Sequence, residues 1–179
     1  MTLIYRFMDS PVGQLKLIAR GHMLVAILWE NDRPNRIHLG PMTHDLNSEI
    51  LQRTEQQLNE YFAGTRTSFE LNLDFSGTDF QKKVWQALLT IPFGETRTYS
   101  QIAHQIGSPA AVRAVGAANG KNPISIIAPC HRVIGMSGEL TGFAGGLAAK
   151  ELLLRLEGWD GNRLKNRVAV ENTVQGLLF

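Results

Sequence analysis

Across Ser76-Gly77-Thr78 the hydrophobic residues change from strand-like alternation to helix-like stripes, and that break divides the chain into two kinds of structure. Before it, Leu3-Ile4-Tyr5-Arg6-Phe7-Met8, Leu15-Lys16-Leu17-Ile18-Ala19 and Met23 to Trp29 read as three strands. Turns at Asp9-Ser10-Pro11-Val12-Gly13 and Gly21-His22 join them, which predicts an antiparallel meander. Residues 31–47 hold two prolines, a glycine and many polar side chains and read as a surface loop. Ile50, Leu51, Leu58, Tyr61 and Phe62 then share one helical face, closed by Gly64, and Phe69, Leu71, Leu73 and Phe75 alternate as a further strand.

After the break the signals are helix starts and stops. Thr78-Asp79-Phe80-Gln81 fits a capping box, with Phe80, Val84, Trp85, Leu88 and Leu89 as the apolar stripe behind it. Thr98-Tyr99-Ser100-Gln101 repeats the pattern for a short helix that runs to Ile106 and stops at Gly107. Ser108-Pro109 is expected to start the next helix, as N-cap and first helical residue, and Gly120 to end it. Two short helices around a glycine turn make a helix-turn-helix, and the second is nearly all alanine and glycine apart from Arg113 and its valines. Small side chains suit close helix packing, and they equally suit a helix lying against a nucleic-acid backbone with one long cation. A last helix is expected over 147–157, with Leu152, Leu153 and Leu156 on its apolar side.

Charge separates along the same line. Residues 1–78 carry seven Lys/Arg against nine Asp/Glu, a balance of −2, whereas residues 79–179 carry eleven against seven, a balance of +4. A basic second half points to a polyanion such as nucleic acid. The longest apolar run, Met23 to Trp29, is far too short to span a bilayer, so no membrane partner is expected. The start of the chain lacks a charged segment followed by a long apolar one, and with a single thiol this predicts a cytoplasmic location. His22, His38 and His44 lie in turns or loops without ligand-like spacing, so no metal site is expected from them.

That single thiol is Cys130, in Pro129-Cys130-His131-Arg132-Val133. One cysteine forms neither an internal disulfide nor a multi-cysteine metal cage, which leaves packing or thiol chemistry. A free cysteine in an apolar run is ordinarily a small core residue. The imidazole and guanidinium beside it favour the second role, because basic neighbours stabilise the nucleophilic thiolate. Only ~3% of an ordinary cysteine is ionised at pH 7; a pKa below about 6 would raise that roughly thirty-fold. Glu157 sits at the end of the last helix, where the macrodipole disfavours an anion by about 0.3–1 kcal/mol; a solvated surface glutamate would survive that cost, and the alternative is a cationic or N–H partner, with His131 a candidate. With His131 as that partner, Cys130, His131 and Glu157 form a relay in which carboxylate orients imidazole and imidazole takes the thiol proton. Adjacent residues of an extended chain point apart, so the Cys130–His131 step needs a turn or a bridging water.

From Phe80 to Gly158 the chain resembles the C-terminal domain of the O6-alkylguanine-DNA alkyltransferases, the methylated-DNA–protein-cysteine methyltransferases. The resemblance rests on Phe80-Gln81 with Val84-Trp85, Ile91-Pro92 with Gly94 and Thr96, and Tyr99-Ser100-Gln101-Ile102-Ala103. It continues through Arg113-Ala114-Val115-Gly116, Asn122-Pro123, Ile127 to Val133, Gly145-Gly146, and Leu153-Leu154 with Glu157-Gly158. It implies an α+β protein in three parts. Residues 1–76 are a ribonuclease-H-like sheet with a helix, residues 77–160 a mostly helical domain with a winged-helix-like helix-turn-helix, and 161–179 a tail of unassigned role.

The family's activity is direct reversal of DNA damage, and the resemblance carries over the following roles. Tyr99, Arg113, Ala114 and Gly116 bind double-stranded DNA; Arg113 fills the gap left by a flipped O6-alkylguanine, and Tyr99 crowds the phosphate and hydrogen-bonds the base. Val133, Phe143 and Ala144, with Tyr99, line the substrate pocket. Asn122 is the hinge between recognition helix and active-site segment. Cys130 takes the alkyl group irreversibly, ionised through His131, a water and Glu157, with no cofactor. O4-alkylthymine is a second expected substrate, and the expected state is a monomer that can bind DNA cooperatively. Phe143 stands where many members have tyrosine, Ser125 replaces a proline of some relatives, and the zinc cysteines of some N-terminal domains are missing. The alternatives are a helix-turn-helix regulator with an alkylation- or redox-sensing cysteine, a cysteine hydrolase, and an alkyltransferase-like protein that binds lesions without chemistry.

Overall fold

The computed structural model describes residues 1–161 of the 179, so nearly all of the tail segment 161–179 lies outside the described residues. The meander forms as its alternation demands, from β1 (Leu3–Met8), β2 (Leu15–Arg20) and β3 (Met23–Trp29). Both hairpins are antiparallel, with a register irregularity at Ile18/Ala19. A fourth strand, β4 (Met42–His44), pairs parallel to β1 and gives the order β3-β2-β1-β4. The loop expectation over 31–47 is corrected at those three residues. β4 is short and polar, and only its pairing to β1 makes it a strand.

Helix α1 (Glu49–Phe62) lays Ile50, Leu51, Leu58 and Tyr61 onto the sheet. The strand expected over residues 69–75 does not form. Leu24 N donates to Asn72 O and Asp74 N to Leu24 O, both at 2.9 Å, and the pairing stops there. The β3 edge is shared: Ile27 N, three residues on, donates to Pro123 O at 2.8 Å. The alternation of Phe69, Leu71, Leu73 and Phe75 records side chains packed on the core without a ladder to match.

Helices α2 (Asp79–Leu88) and α3 (Tyr99–Gln105) both start in complete capping boxes, Thr78 with Gln81 and Thr98 with Gln101. Helix α4 (Val112–Gly120) begins later than Ser108-Pro109 predicts. Ala111 N donates to Ser108 O at 2.9 Å, closing a turn with proline at its second position, so the N-cap is Ala111. Beyond a single 3-10 turn at Cys130–Arg132, strand β6 (Val133–Ile134) pairs parallel with β5 (Arg97–Thr98). The final helix, α5, spans Leu147–Leu156, with Glu157 as its C-cap. Its buried face is Ala149, Lys150, Leu153 and Leu154, with Leu152 and Leu156 only half-buried. One apolar cluster unites Leu17, Tyr61, Trp85, Ile124 and Leu153, so the sheet half and the helical half share a core. No helix among the described residues is long and apolar enough to cross a membrane.

Candidate active site

The apolar run into the cysteine is bent back on itself. Ile126 adopts φ 74°, a left-handed conformation that costs a β-branched residue about 1–3 kcal/mol and persists only where its surroundings fix it. Asn122 does much of that fixing: its Nδ2 donates to Ala128 O at 2.8 Å and its Oδ1 accepts from Ile124 N at 3.0 Å. Asn119, also buried, donates to Cys130 O at 3.4 Å. The loop closes onto the 3-10 turn, and the turn is what an extended Cys130–His131 pair lacks.

His131 is fully buried, and its Nε2 lies 2.5 Å from Glu157 Oε2. This is the candidate partner for the carboxylate at the helix end. Arg132 Nε donates to Glu157 Oε1 at 2.5 Å, and its Nη1 donates to Ile91 O at 2.6 Å. The guanidinium therefore serves the carboxylate, which corrects its expected role as a direct neighbour of the thiol. Burial opposes the charge on Glu157, but the His131 N–H and the Arg132 guanidinium outweigh it and hold the carboxyl below its usual range. Burial drives His131 below its ordinary value despite the pull of Glu157, so the imidazole is neutral, donating from Nε2. Its Nδ1 is buried without a hydrogen-bond partner among the described residues.

Cys130 is 4% exposed. Burial pushes its thiol up, against the Asn122 side chain and the more distant charges of Lys150 and Arg36. The direction is opposite to the acidification expected of this thiol, because burial disfavours its charged form.

The remaining expected residues fall into two groups. Arg113 and Ala114 are exposed at the start of α4, with Gly116 half-buried one turn on. Gly116 lines a cleft of about 440 Å³ together with Arg36, Lys121, Phe143 and Ala144, so the recognition helix and the expected pocket wall share one opening. Tyr99 and Val133 do not line that cleft. Tyr99, half-buried, shares a 2.7 Å hydrogen bond with Thr141 Oγ1, and Val133 is fully buried after the cysteine turn.

Several contributors carry no motif in the sequence. Tyr61 OH donates to Glu157 Oε2 at 3.1 Å from the sheet half. Lys150, fully buried, donates from Nζ to Val133 O at 2.7 Å and to Thr141 O at 3.2 Å, and burial lowers its pKa to about 8. Arg36 pairs with Asp32 at 2.6 Å and donates to Asn122 O at 2.9 Å. Trp29 Nε1 donates to Ser125 Oγ at 3.1 Å and its ring meets Phe143 edge-on at 5.2 Å. A lysine or tyrosine at apolar helical spacing was the available signal for two of them. Among the described residues there is no group of three or more His, Cys, Asp or Glu able to hold a metal ion.

Comparison with known proteins agrees with this geometry over most of the chain. The profile of the 6-O-methylguanine DNA methyltransferase DNA binding domain matches residues 79–159, and that of the same family's ribonuclease-like domain matches 3–75. A methylated-DNA–protein-cysteine methyltransferase of Mycobacterium tuberculosis is 53% identical over 155 residues, 86% of this chain and 91% of that protein. One of Methanosarcina mazei is 55% identical over 156 residues, 87% and 97% of the two chains. The crystal structure of Mycobacterium tuberculosis OGT in complex with DNA superposes with a TM-score of 0.79 at 52% identity, covering 86% of this chain and 92% of that one. With both halves matched in order, the chain belongs to the 6-O-methylguanine DNA methyltransferase family.

Proposed function

We propose that this protein repairs O6-alkylguanine in duplex DNA by moving the alkyl group onto its own Cys130, once per molecule. The observation that carries the reading is the 2.5 Å contact of His131 Nε2 with Glu157 Oε2, made by the residue directly after the cysteine. With Nε2 so engaged, Nδ1 is the acceptor for the thiol proton, directly or through a water. Sulfur then attacks the O6-alkyl carbon, and guanine leaves with the electron pair of its O6–carbon bond. His131 holds the proton as imidazolium against the Glu157 carboxylate, and a thioether remains on Cys130. Asn122 shapes the segment between recognition helix and cysteine, and the domain division at residues 76–77 and near 160 belongs to the same reading.

DNA lies against the exposed start of α4, where Arg113 and Ala114 meet the backbone and Gly116 lets it come close. The target base is flipped toward Cys130, at a cost of a few kcal/mol that is smaller for a mispaired lesion. Arg113 occupies the vacated place, and Val133, Phe143, Ala144 and Tyr99 receive the base. O4-alkylthymine, carrying the same alkyl–oxygen bond, is a second substrate on this reading, and the protein acts as a monomer. A redox-sensing regulator calls for an exposed, acidic thiol. Cys130 is buried, which favours repair over a redox sensor.

A duplex containing O6-[³H-methyl]guanine tests this. One methyl per protein is expected, mapped to Cys130 by peptide mass and missing in Cys130→Ala; sustained turnover or label elsewhere refutes it. In the same assay Arg113→Ala slows repair of the duplex far more than reaction with free O6-benzylguanine, and equal losses would remove the flipping role.

A further inference from the structure

Among the described residues Glu157 has three donors, and one of them comes from the other half of the protein. His131 and Arg132 reach it from the cysteine turn, whereas Tyr61 lies on α1, 96 residues away in sequence. The tyrosine is 1% exposed, and its ring is wedged among Phe62, Phe69 and Phe93 at centroid distances of 5.4, 5.6 and 6.2 Å. Packing thus fixes where the hydroxyl points. It donates to Oε2, the same oxygen that accepts from His131 Nε2. We infer that Tyr61 is a positioning residue of the thiol relay, its hydroxyl holding Glu157 Oε2 as a fixed, ionised acceptor for the His131 imidazole. The inference rests on the alkyl-transfer reading and adds to it a member supplied by the N-terminal half.

Burial and the neighbouring carboxylate raise the Tyr61 pKa, so the phenol stays a neutral donor across the working range. The charged groups facing the pair are Arg132 on the cysteine turn and Lys150 on α5, and Lys150 in turn feels Cys130. Arg132 satisfies Oε1, leaving Oε2 to be shared between His131 and Tyr61. A second donor on Oε2 weakens that oxygen's pull on a proton. Without it the His131–Glu157 pair binds a proton more readily, and it titrates as a unit. That added proton occupies the imidazole, the base the thiol needs. Removing the hydroxyl must therefore move the acid limb of the reaction upward in pH.

The test is Tyr61→Phe, which keeps the ring and its packing. Wild type and variant react with free O6-benzylguanine between about pH 5 and pH 8, with benzylation of Cys130 followed by intact mass. The concentration dependence separates base binding from transfer. A hydrogen bond to a charged group corresponds to about one pH unit. The midpoint of the acid limb is thus expected about one unit higher, with transfer about tenfold slower below both midpoints and the half-saturating concentration unchanged. Leu58→Val, in the same helix and equally buried but without a bond to Glu157, is expected to lower stability and leave the midpoint in place. A Tyr61→Phe midpoint within about 0.2 unit of wild type, or an equal shift in Leu58→Val, overturns the inference. Failure of wild type to form any Cys130 adduct would overturn the alkyl-transfer reading itself and this inference with it. An unmoved midpoint in a reacting variant removes only the role of Tyr61.

Discussion

His131 and Glu157 both titrate below their ordinary values in the folded protein, and for the two residue types that shift acts in the same direction. The unfolded chain takes up a histidine proton near pH 6.5, while the buried imidazole resists it to lower pH. Below that value the unfolded state binds more protons than the native one, so stability falls as pH falls. The carboxylate adds the same sign below about pH 4.5, where the unfolded glutamate protonates first. Unfolding free energies from urea titrations between pH 7 and pH 5 should drop for wild type by up to about 1.4 kcal/mol per unit below pH 6.5. His131→Asn should show a flatter slope over that window, whatever its absolute stability; parallel slopes would mean the imidazole is not buried neutral. Lys150 belongs to the same scale. Its spacing with Leu153 and Leu154 marks it as facing the core, but not what it meets, because its acceptors are backbone carbonyls of Val133 and Thr141 that only the fold brings near.

At the scale of elements, the pocket loop is held from beneath by a strand of the other half. A Cβ on Gly145 would stand 2.6 Å from the Trp29 ring, so glycine is required there for space. The same ring supports Phe143 and bonds Ser125, the residue that departs from the proline of some relatives. Gly145→Ala is expected to cost about 1–3 kcal/mol through that overlap. Adding Trp29→Leu relieves it, so the double variant should lose less stability than the sum of the single changes. Strictly additive urea results would show that the loop yields elsewhere. The helix caps were legible in the sequence because capping is local: Thr78 with Gln81 and Thr98 with Gln101 lie three residues apart. The start of α4 was not, because Ser108-Pro109 serves a turn as readily as a helix N-terminus. Nor was the shape of residues 69–75, whose alternation cannot reveal that the β3 edge is also used by Pro123.

The whole molecule is joined across its two halves by a few specific bonds laid over a common core. Ile27 N to Pro123 O, Tyr61 to Glu157, Trp29 to Ser125 and Arg36 to Asn122 all run from the N-terminal half to the cysteine segment or to the carboxylate that meets it. Arg36 is buried with its Asp32 partner and also reaches Gly120 O, so it clasps the end of the recognition helix. Arg36→Met would leave Asp32 and those carbonyls without their donor, at a cost of about 3 kcal/mol in urea unfolding. A loss below about 1 kcal/mol would assign the join to the apolar cluster instead. The relay of Cys130, His131 and Glu157 could be proposed from motif and helix-end position. Its supports could not, since periodicity carries no information about which distant side chain meets an oxygen.

The depth of Cys130 has a consequence for supply. A protein consumed by a single alkyl transfer is a reagent the cell must stockpile, and a stockpile is useful only while its working group stays unspent. A sulfur held out of solvent is a poor target for stray electrophiles and oxidants. Its shelf life is long until a base of the right shape arrives beside it.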